Sequence, residues 1–278
     1  MRRTLSESRV LLTGASSGIG YALAEQLAAK GTDLLITARR GELLHRLVER
    51  IRGRHPEYAE GGGRKIVAET GDITDPEVRR RCVDTARERL GGIDLLVNNA
   101  GVGATALVEA TSEEVLRRMM EVNYFSLVLL VQRALPHLKE SARNDERQSR
   151  GIRPMIVNLG SIVGLRGVPH YGAYGAAKFA VTGIGESLRA ELTRDRIDVL
   201  QVSPGTTQTE FFDSLLVASS APEMPVHRAV SPEYVARRIV RAMERGSRRI
   251  IPYAQAVVLQ TLQRLSPGLV DTILARYV

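Results

Sequence analysis

The chain has few of the residues that stabilise disulfide-linked or membrane-spanning proteins. Its 278 residues include a single cysteine, Cys82, and no tryptophan. One thiol excludes an internal disulfide framework and a cysteine-ligated metal site, and it suits a reducing cytoplasm. Apolar runs such as residues 127–131 are far shorter than the roughly 20 residues that a membrane-spanning helix needs, and residues 1–9 hold no such run. We therefore expect a cytoplasmic protein without a secretory signal.

The charge balance is basic, with 39 lysines and arginines against 31 acidic residues and a formal net charge of +8. Such an excess fits a phosphorylated ligand, an anionic membrane or nucleic acid, and it also fits an ordinary arginine-rich surface. Aromatic residues make up only 4% of the chain, which leaves little for stacking on bases, and no nucleic-acid-reading motif is present. We expect no nucleic-acid partner.

Short apolar runs alternate with helical patterns along the whole chain. The predicted strands are residues 9–13, 33–37, 65–69, 93–97, 155–159 and 199–202. Near-continuous apolar strands separated by helices are typical of a parallel sheet covered on both faces. The sequence therefore predicts one α/β domain over residues 1–278, with a Rossmann-like doubly wound parallel sheet. Residues 55–64 and 139–153 are polar and are expected to form surface loops.

A glycine-rich turn, T-G-A-S-S-G-I-G, lies between the first predicted strand and the first predicted helix. Gly14 permits a sharp turn, Gly18 lets the backbone approach a pyrophosphate, and Gly20 lets the helix pack closely on the sheet. The helix N-terminus supplies free N–H groups for the phosphates. The residues expected to contact a dinucleotide here are Gly14, Ser16, Ser17, Gly18, Ile19 and Gly20.

Further motifs stand at the ends of later strands: G-D-I-T at residues 71–74, N-N-A-G at 98–101, and P-G followed by threonines at 204–209. Together with T-G-x-x-x-G-x-G and Y-x-x-x-K, they make the chain resemble the short-chain dehydrogenase/reductase family over about residues 10–209. The resemblance implies metal-free hydride transfer between a nicotinamide and a carbonyl or secondary alcohol, in a homodimer or homotetramer. It also implies cofactor contacts from Asp72, Ile73, Asn99, Ala100, Gly101, Pro204, Gly205, Thr207 and Thr209.

The Y-x-x-x-K motif places a phenol and an ammonium group, Tyr174 and Lys178, on one face of a helix. A phenol has a pKa of about 10, and a nearby cation together with a positive nicotinamide ring favours the phenolate and lowers that pKa. Tyr171 is a rival phenol, but the residue four positions beyond it is Gly175. Only Tyr174 therefore has a lysine partner.

The resemblance implies roles for four catalytic residues. Tyr174 exchanges the hydroxyl proton with the substrate, and Lys178 also holds the nicotinamide ribose, so both contact the cofactor. Ser161, thirteen residues before Tyr174, orients the substrate oxygen. Asn123 bends its helix and holds a water beside the lysine. Gly160 stands where many family members carry a polar residue, and we expect it to widen the site near Ser161.

The end of the second predicted strand indicates a preference for NADP(H) over NAD(H). Ala38 stands where NAD-dependent enzymes carry an acid that binds the ribose 2′-hydroxyl, and Arg39 and Arg40 follow it. A guanidinium binds a phosphate through paired, charge-assisted hydrogen bonds. Asp33 opens the strand and lies too far from its end to replace the missing acid.

Several alternatives stay open at this point. Residues 210–230 are apolar enough to form a lid over a lipophilic substrate or a helix packed on the body. Residues 253–278 form an amphipathic extension behind an arginine-rich segment, and this extension can pack on the domain, pair subunits or touch an anionic membrane. A non-catalytic NADP(H)-binding regulator is the functional alternative, although four catalytic residues at family spacing argue against it. The substrate and the reaction direction are not specified.

Overall fold

The computed structural model describes residues 3–211, 215–217 and 229–277. Seven parallel strands form one sheet in the order β3-β2-β1-β4-β5-β6-β7. The strands are β1 (Arg9–Thr13), β2 (Asp33–Ala38), β3 (Ile66–Thr70), β4 (Leu95–Asn98), β5 (Met155–Leu159), β6 (Asp198–Val202) and β7 (Arg249–Ile250). The predicted doubly wound sheet is confirmed. β7 was not predicted, because two residues make no periodic pattern.

Helices cover both faces of the sheet. They are α1 (Gly18–Ala28), α2 (Gly41–Arg54), α3 (Pro76–Thr85), α4 (Glu113–Met120), α5 (Ser126–Arg143), α6 (Asp145–Ser149), α7 (Gly172–Glu191), α8 (Pro232–Arg245), α9 (Ala254–Leu265) and α10 (Pro267–Leu274). Successive strand residues point to opposite faces, so Leu12 packs with α1, α2 and α8 while Leu11 packs with α3, α5 and α7. Both leucines are fully buried, which explains the apolar strands.

Residues 139–153 are not the surface loop that their charged side chains predict. α5 continues to Arg143, with Ser141 buried, and the short helix α6 follows. The Ser141 hydroxyl donates to Asp94, and the guanidinium groups of Arg9 and Arg147 pair with the same buried carboxylate. The polar residues of this segment therefore satisfy an internal charge, which composition alone does not reveal.

The connection at residues 55–64 is largely exposed, as predicted for a surface loop, and it contains a 3₁₀ turn, Pro56–Tyr58. Tyr58 is buried, and its hydroxyl donates to the carbonyl oxygen of Ala28 at 3.2 Å and to that of Thr32. This aromatic ring therefore fixes the connection to the end of α1.

The predicted C-terminal extension consists of α9 and α10 and packs only in part. Val270 and Leu274 are buried, whereas Val258 and Leu265 are 68% and 79% exposed. No helix among the described residues is long and apolar enough to cross a membrane. Most of the predicted lid, including Phe212, Met224 and His227, lies outside the described residues.

Candidate active site

A cleft of about 780 Å³ opens at the carboxyl ends of the strands. Ligands of open α/β sheets bind at this edge, because the loops that follow the strands converge there. Of the predicted site residues, those that line the cleft are Gly14, Ser16, Ser17, Gly18, Ile19, Gly20, Arg39, Arg40, Asp72, Ile73, Asn99, Ala100, Gly101, Ser161, Tyr174, Lys178, Pro204, Gly205, Thr207 and Thr209. Asn123 lies behind the wall and is 1% exposed.

The glycine turn leaves no room for side chains. Gly14 and Gly18 have φ of +70° and +57°, values that favour glycine. A Cβ on Gly14 would lie 2.8 Å from the Cα of Ala100, and one on Gly18 would lie 2.9 Å from a methyl carbon of Thr209. Ser17 caps α1 without a side-chain hydrogen bond, so the helix N-terminus is left to other acceptors. This cradle fits the pyrophosphate of a dinucleotide.

Asn99 supports the glycine turn through its side chain. Its amide nitrogen donates to the carbonyl oxygens of Thr13 and Gly14, both at 2.9 Å. In return, the Thr13 hydroxyl oxygen accepts from the backbone N–H groups of Asn99 and Ala100 at 3.0 Å. The N-N-A-G motif therefore links β1 to β4 through these hydrogen bonds at the base of the cleft.

Asp72 lies at the end of the cleft beyond β3. Its Oδ1 accepts from the backbone N–H of Thr74 at 2.9 Å, and its Oδ2 accepts from Arg118 at 2.8 Å. Burial acts to raise the pKa of Asp72, but these hydrogen bonds outweigh it and hold the pKa below its usual value. Sequence reasoning missed Arg118, because this residue lies on α4 and no motif contains it.

Two arginines follow β2, and they differ in their hydrogen-bonding partners. Arg40 donates to the Ser16 hydroxyl at 3.3 Å, and its Nη1 lies 2.7 Å from a carboxylate oxygen of Glu210. Arg39 is exposed and makes no hydrogen bond or ion pair with the part of the chain that the structure describes. Asp33 accepts from the backbone N–H of Lys65 at 2.8 Å at the far end of the strand, as its position predicted.

Ser161, Tyr174 and Lys178 converge at the inner end of the cleft. The hydroxyl groups of Ser161 and Tyr174 are hydrogen-bonded. The Lys178 ammonium nitrogen lies 5.7 Å from the Tyr174 ring centroid and donates to the carbonyl oxygen of Leu159 at 3.0 Å. Tyr174 and Lys178 lie on one face of α7. Ser161 caps the 3₁₀ turn Ile162–Gly164, which follows β5.

Asn123 lies in a π-helical turn, Glu121–Phe125, between α4 and α5. Its amide nitrogen donates to the carbonyl oxygen of Val102 at 3.0 Å, and its Oδ1 accepts from the Val102 N–H at 3.3 Å. A Cβ on Gly101 would lie 2.6 Å from that Oδ1 and 3.4 Å from the Lys178 nitrogen. The amide oxygen and the ammonium group therefore border one small space, and the predicted helix irregularity is present.

In the ligand-free structure, burial raises the pKa of Tyr174, and the hydrogen bond from Ser161 offsets only part of the effect. The lower pKa expected from Lys178 together with a bound nicotinamide ring stays a prediction. Burial also lowers the pKa of Lys178 to about 8. Both shifts disfavour the charged form of a group removed from water. Without a ligand, Tyr174 is a neutral phenol that can donate its proton.

Gly160 lines the cleft, and the expected widening of the site near Ser161 stays a prediction. A Cβ at this position would lie 2.5 Å from the amide nitrogen of Gln201, whose side chain fills the space beside β5. The far end of the Gln201 side chain therefore occupies the space in which a side chain at position 160 would begin.

A parallel sheet with a glycine cradle at its switch point defines an α/β protein of the dinucleotide-binding class. The sequence model of the family described as short chain dehydrogenase matches residues 8–218, and the chain belongs to this family. It is therefore an oxidoreductase that acts on CH–OH or C=O groups with a nicotinamide dinucleotide. The sequence is 32% identical over 251 residues to 11-beta-hydroxysteroid dehydrogenase A of Sesamum indicum, covering 87% of this chain and 67% of that protein.

Solved structures give the same fold. A short chain dehydrogenase/reductase from Burkholderia phymatum in complex with NAD superimposes with a TM-score of 0.81 and 22% identity, covering 96% of each chain. A short-chain dehydrogenase from Sphingobium yanoikuyae in complex with NADPH has a TM-score of 0.75 and 27% identity, covering 95% of each chain. The first of these two proteins binds NAD and the second binds NADPH.

Proposed function

We propose that the protein is an NADP(H)-dependent oxidoreductase that interconverts a lipophilic carbonyl compound and its secondary alcohol. Asn123, Ser161, Tyr174 and Lys178 form the catalytic group of this proposal. The observation that carries it is the end of β2, where two guanidinium groups and no carboxylate from β2 flank the cleft. The oxidoreductase activity follows from the family, whereas the preference for NADP(H) and the lipophilic substrate class are our proposals.

The preference for NADP(H) is supported by the charge at the end of β2. A 2′-phosphate needs positively charged donors, and an acid at the same place would repel it. Arg39 is exposed and keeps its donors available to such a phosphate, and Ala38 leaves the strand end without a carboxylate. The NADPH complex of the Sphingobium yanoikuyae relative shows that this cofactor occurs among similar chains.

The catalytic residues supply proton transfer and orientation. The nicotinamide supplies or accepts the hydride when it is bound. In reduction, Tyr174 gives its phenolic proton to the carbonyl oxygen while Ser161 donates a hydrogen bond to that oxygen and orients it. Lys178 stabilises the resulting phenolate with its positive charge. Asn123 holds the wall next to Lys178 and keeps an amide oxygen within reach of a water on the proton path.

A lipophilic substrate is supported by the wall beyond Ser161. The apolar residues that line this part of the cleft are Ile162, Val163, Leu165, Val168, Phe211 and Leu274. Apolar walls with a few convergent polar groups are typical of sites for small lipophilic molecules. The similarity to a protein named as a hydroxysteroid dehydrogenase agrees with this substrate class.

Arg39→Ala tests the cofactor preference. Losing a charged hydrogen-bonding partner costs about 1.5–3 kcal/mol, or about one to two powers of ten in affinity. We expect KM for NADPH to rise by that factor while KM for NADH changes less than about twofold. Arg46→Ala is the matched control, because Arg46 is an exposed arginine on α2 away from the strand end. Equal kcat/KM for NADPH and NADH in the unmodified enzyme would refute the preference.

A panel of ketones and secondary alcohols of graded size, followed through the absorbance of NADPH, tests the reaction itself. We expect kcat/KM to rise with apolar size. Cofactor binding without turnover on any member would favour the regulator instead.

We also propose that the protein forms a homodimer or homotetramer. The support is a set of exposed apolar residues: Phe125 in the turn before α5, Leu129 on α5 and Phe179 on α7. Analytical ultracentrifugation tests the oligomeric state. A cytoplasmic location stays a prediction from the cysteine count.

A further inference from the structure

Glu210 connects the two sides of the dinucleotide cleft. Thr209 lies against the glycine turn, since a Cβ on Gly18 would be 2.9 Å from its methyl carbon. The next residue, Glu210, places a carboxylate oxygen 2.7 Å from Nη1 of Arg40, on the opposite side of the same cleft. No sequence motif includes Glu210, and the pairing joins residues 170 positions apart.

The position of this ion pair conflicts with a phosphate at the end of β2. Arg40 is one of the two guanidinium groups that follow Ala38, and a 2′-phosphate would draw on its donors. A carboxylate already on Arg40 competes for those donors and repels a phosphate, which carries up to two negative charges. A ribose with a free 2′-hydroxyl brings no negative charge and leaves the ion pair in place.

The pair is weak enough to be exchanged. The side chains of Arg40 and Glu210 are 48% and 58% exposed, so water screens their attraction. Arg40 is also held at the cleft by the Ser16 hydroxyl, which keeps the guanidinium in place when its carboxylate partner leaves. Arg39 has no partner within the described residues and needs no exchange before it binds a phosphate.

We infer that Glu210 is a positioning residue for cofactor choice: its carboxylate neutralises Arg40 when the 2′-position is a hydroxyl and is displaced from Arg40 by a 2′-phosphate. The inference rests on the proposed NADP(H) preference and deepens it. Arg39 produces the preference for NADP(H), and the ion pair between Glu210 and Arg40 reduces the ratio of the two affinities. When an NAD-type ligand binds, the ion pair between Glu210 and Arg40 stays in place.

Two fragments isolate the 2′-phosphate from the rest of the cofactor: adenosine 2′,5′-bisphosphate and adenosine 5′-monophosphate. Isothermal titration calorimetry gives their Kd values without any turnover. In Glu210→Gln we expect the bisphosphate to bind about two- to fivefold more tightly, and the monophosphate to change less than about 1.5-fold. Glu42→Gln is the matched control, because Glu42 is an exposed acid on the first turn of α2 that does not pair with Arg40.

A double-mutant cycle with Arg40→Ala distinguishes an effect of the Glu210–Arg40 ion pair from the general effect of removing one negative charge from the cleft. If Glu210 acts through Arg40, the gain from Glu210→Gln disappears in the Arg40→Ala background. The inference is overturned if Glu210→Gln leaves the ratio of the two Kd values unchanged, if Glu42→Gln changes it as much, or if the gain persists without Arg40. Equal affinity of the unmodified protein for both fragments is a different result, which refutes the NADP(H) preference itself.

Discussion

Tyr174→Phe separates the chemistry of the site from its packing. The Tyr174 ring lies 5.5 Å from the ring of Phe211, centroid to centroid, and phenylalanine keeps this contact. The substitution removes only the hydroxyl that is hydrogen-bonded to Ser161. Ser161 still accepts from the backbone N–H of Val163 at 3.3 Å, so its turn stays in place. The folded structure and cofactor binding should therefore survive.

General acid catalysis contributes about 10²–10⁴-fold, and we expect kcat to fall by that factor. The assay compares kcat for the best ketone of the panel with Kd for NADPH, measured by quenching of tyrosine fluorescence or by calorimetry. Tyr171→Phe is the matched control, since Tyr171 is a half-buried phenol that lines the same cleft and has no lysine partner. If Tyr174→Phe kept more than about a third of kcat, the acid would be another group.

Two further predictions concern a titration and a buried charge. Because the pKa of Lys178 is about 8, its positive charge is present below that pH, and kcat/KM for carbonyl reduction should fall about tenfold per pH unit above it. A profile that stays flat to pH about 10 would contradict this role. Asp94→Asn should lower the free energy of unfolding in urea by about 3–5 kcal/mol, because Arg9 and Arg147 lose their buried partner. Asp84→Asn, which removes an exposed partner of Arg80, should cost about 1 kcal/mol or less.

The parts of the fold that sequence predicts best are those that local chemistry determines. β5 was predicted at its observed bounds, because its apolar side chains are buried on both faces. The glycine turn was predicted from the local pattern of its glycines, which lie close together in the motif and of which Gly14 and Gly18 have positive φ angles. The close approaches of Ala100 and Thr209 to this turn come from distant segments and appear only in the structure.

Contacts between distant residues were beyond sequence reasoning where one of the two belongs to no motif. Arg118 reaches Asp72 from α4, and Glu210 reaches Arg40 across the cleft, with no spacing rule that links either pair. The segment after residue 139 was misjudged for the same reason, because its polar side chains serve the buried carboxylate of Asp94. Composition indicates that a side chain is charged, and only the tertiary structure shows its partner.

The Y-x-x-x-K motif gives the positions of Tyr174 and Lys178 but not the charge that each carries. The sequence predicts that the lysine together with a bound nicotinamide ring favours the phenolate, and the ligand-free structure shows the opposing effect of burial on both groups. Burial keeps the phenol protonated and still leaves the lysine charged below a pH of about 8. At neutral pH both groups therefore hold their protons, the state that a proton donor to a carbonyl oxygen requires. Oxidation of an alcohol by the same residue first requires the loss of the Tyr174 proton.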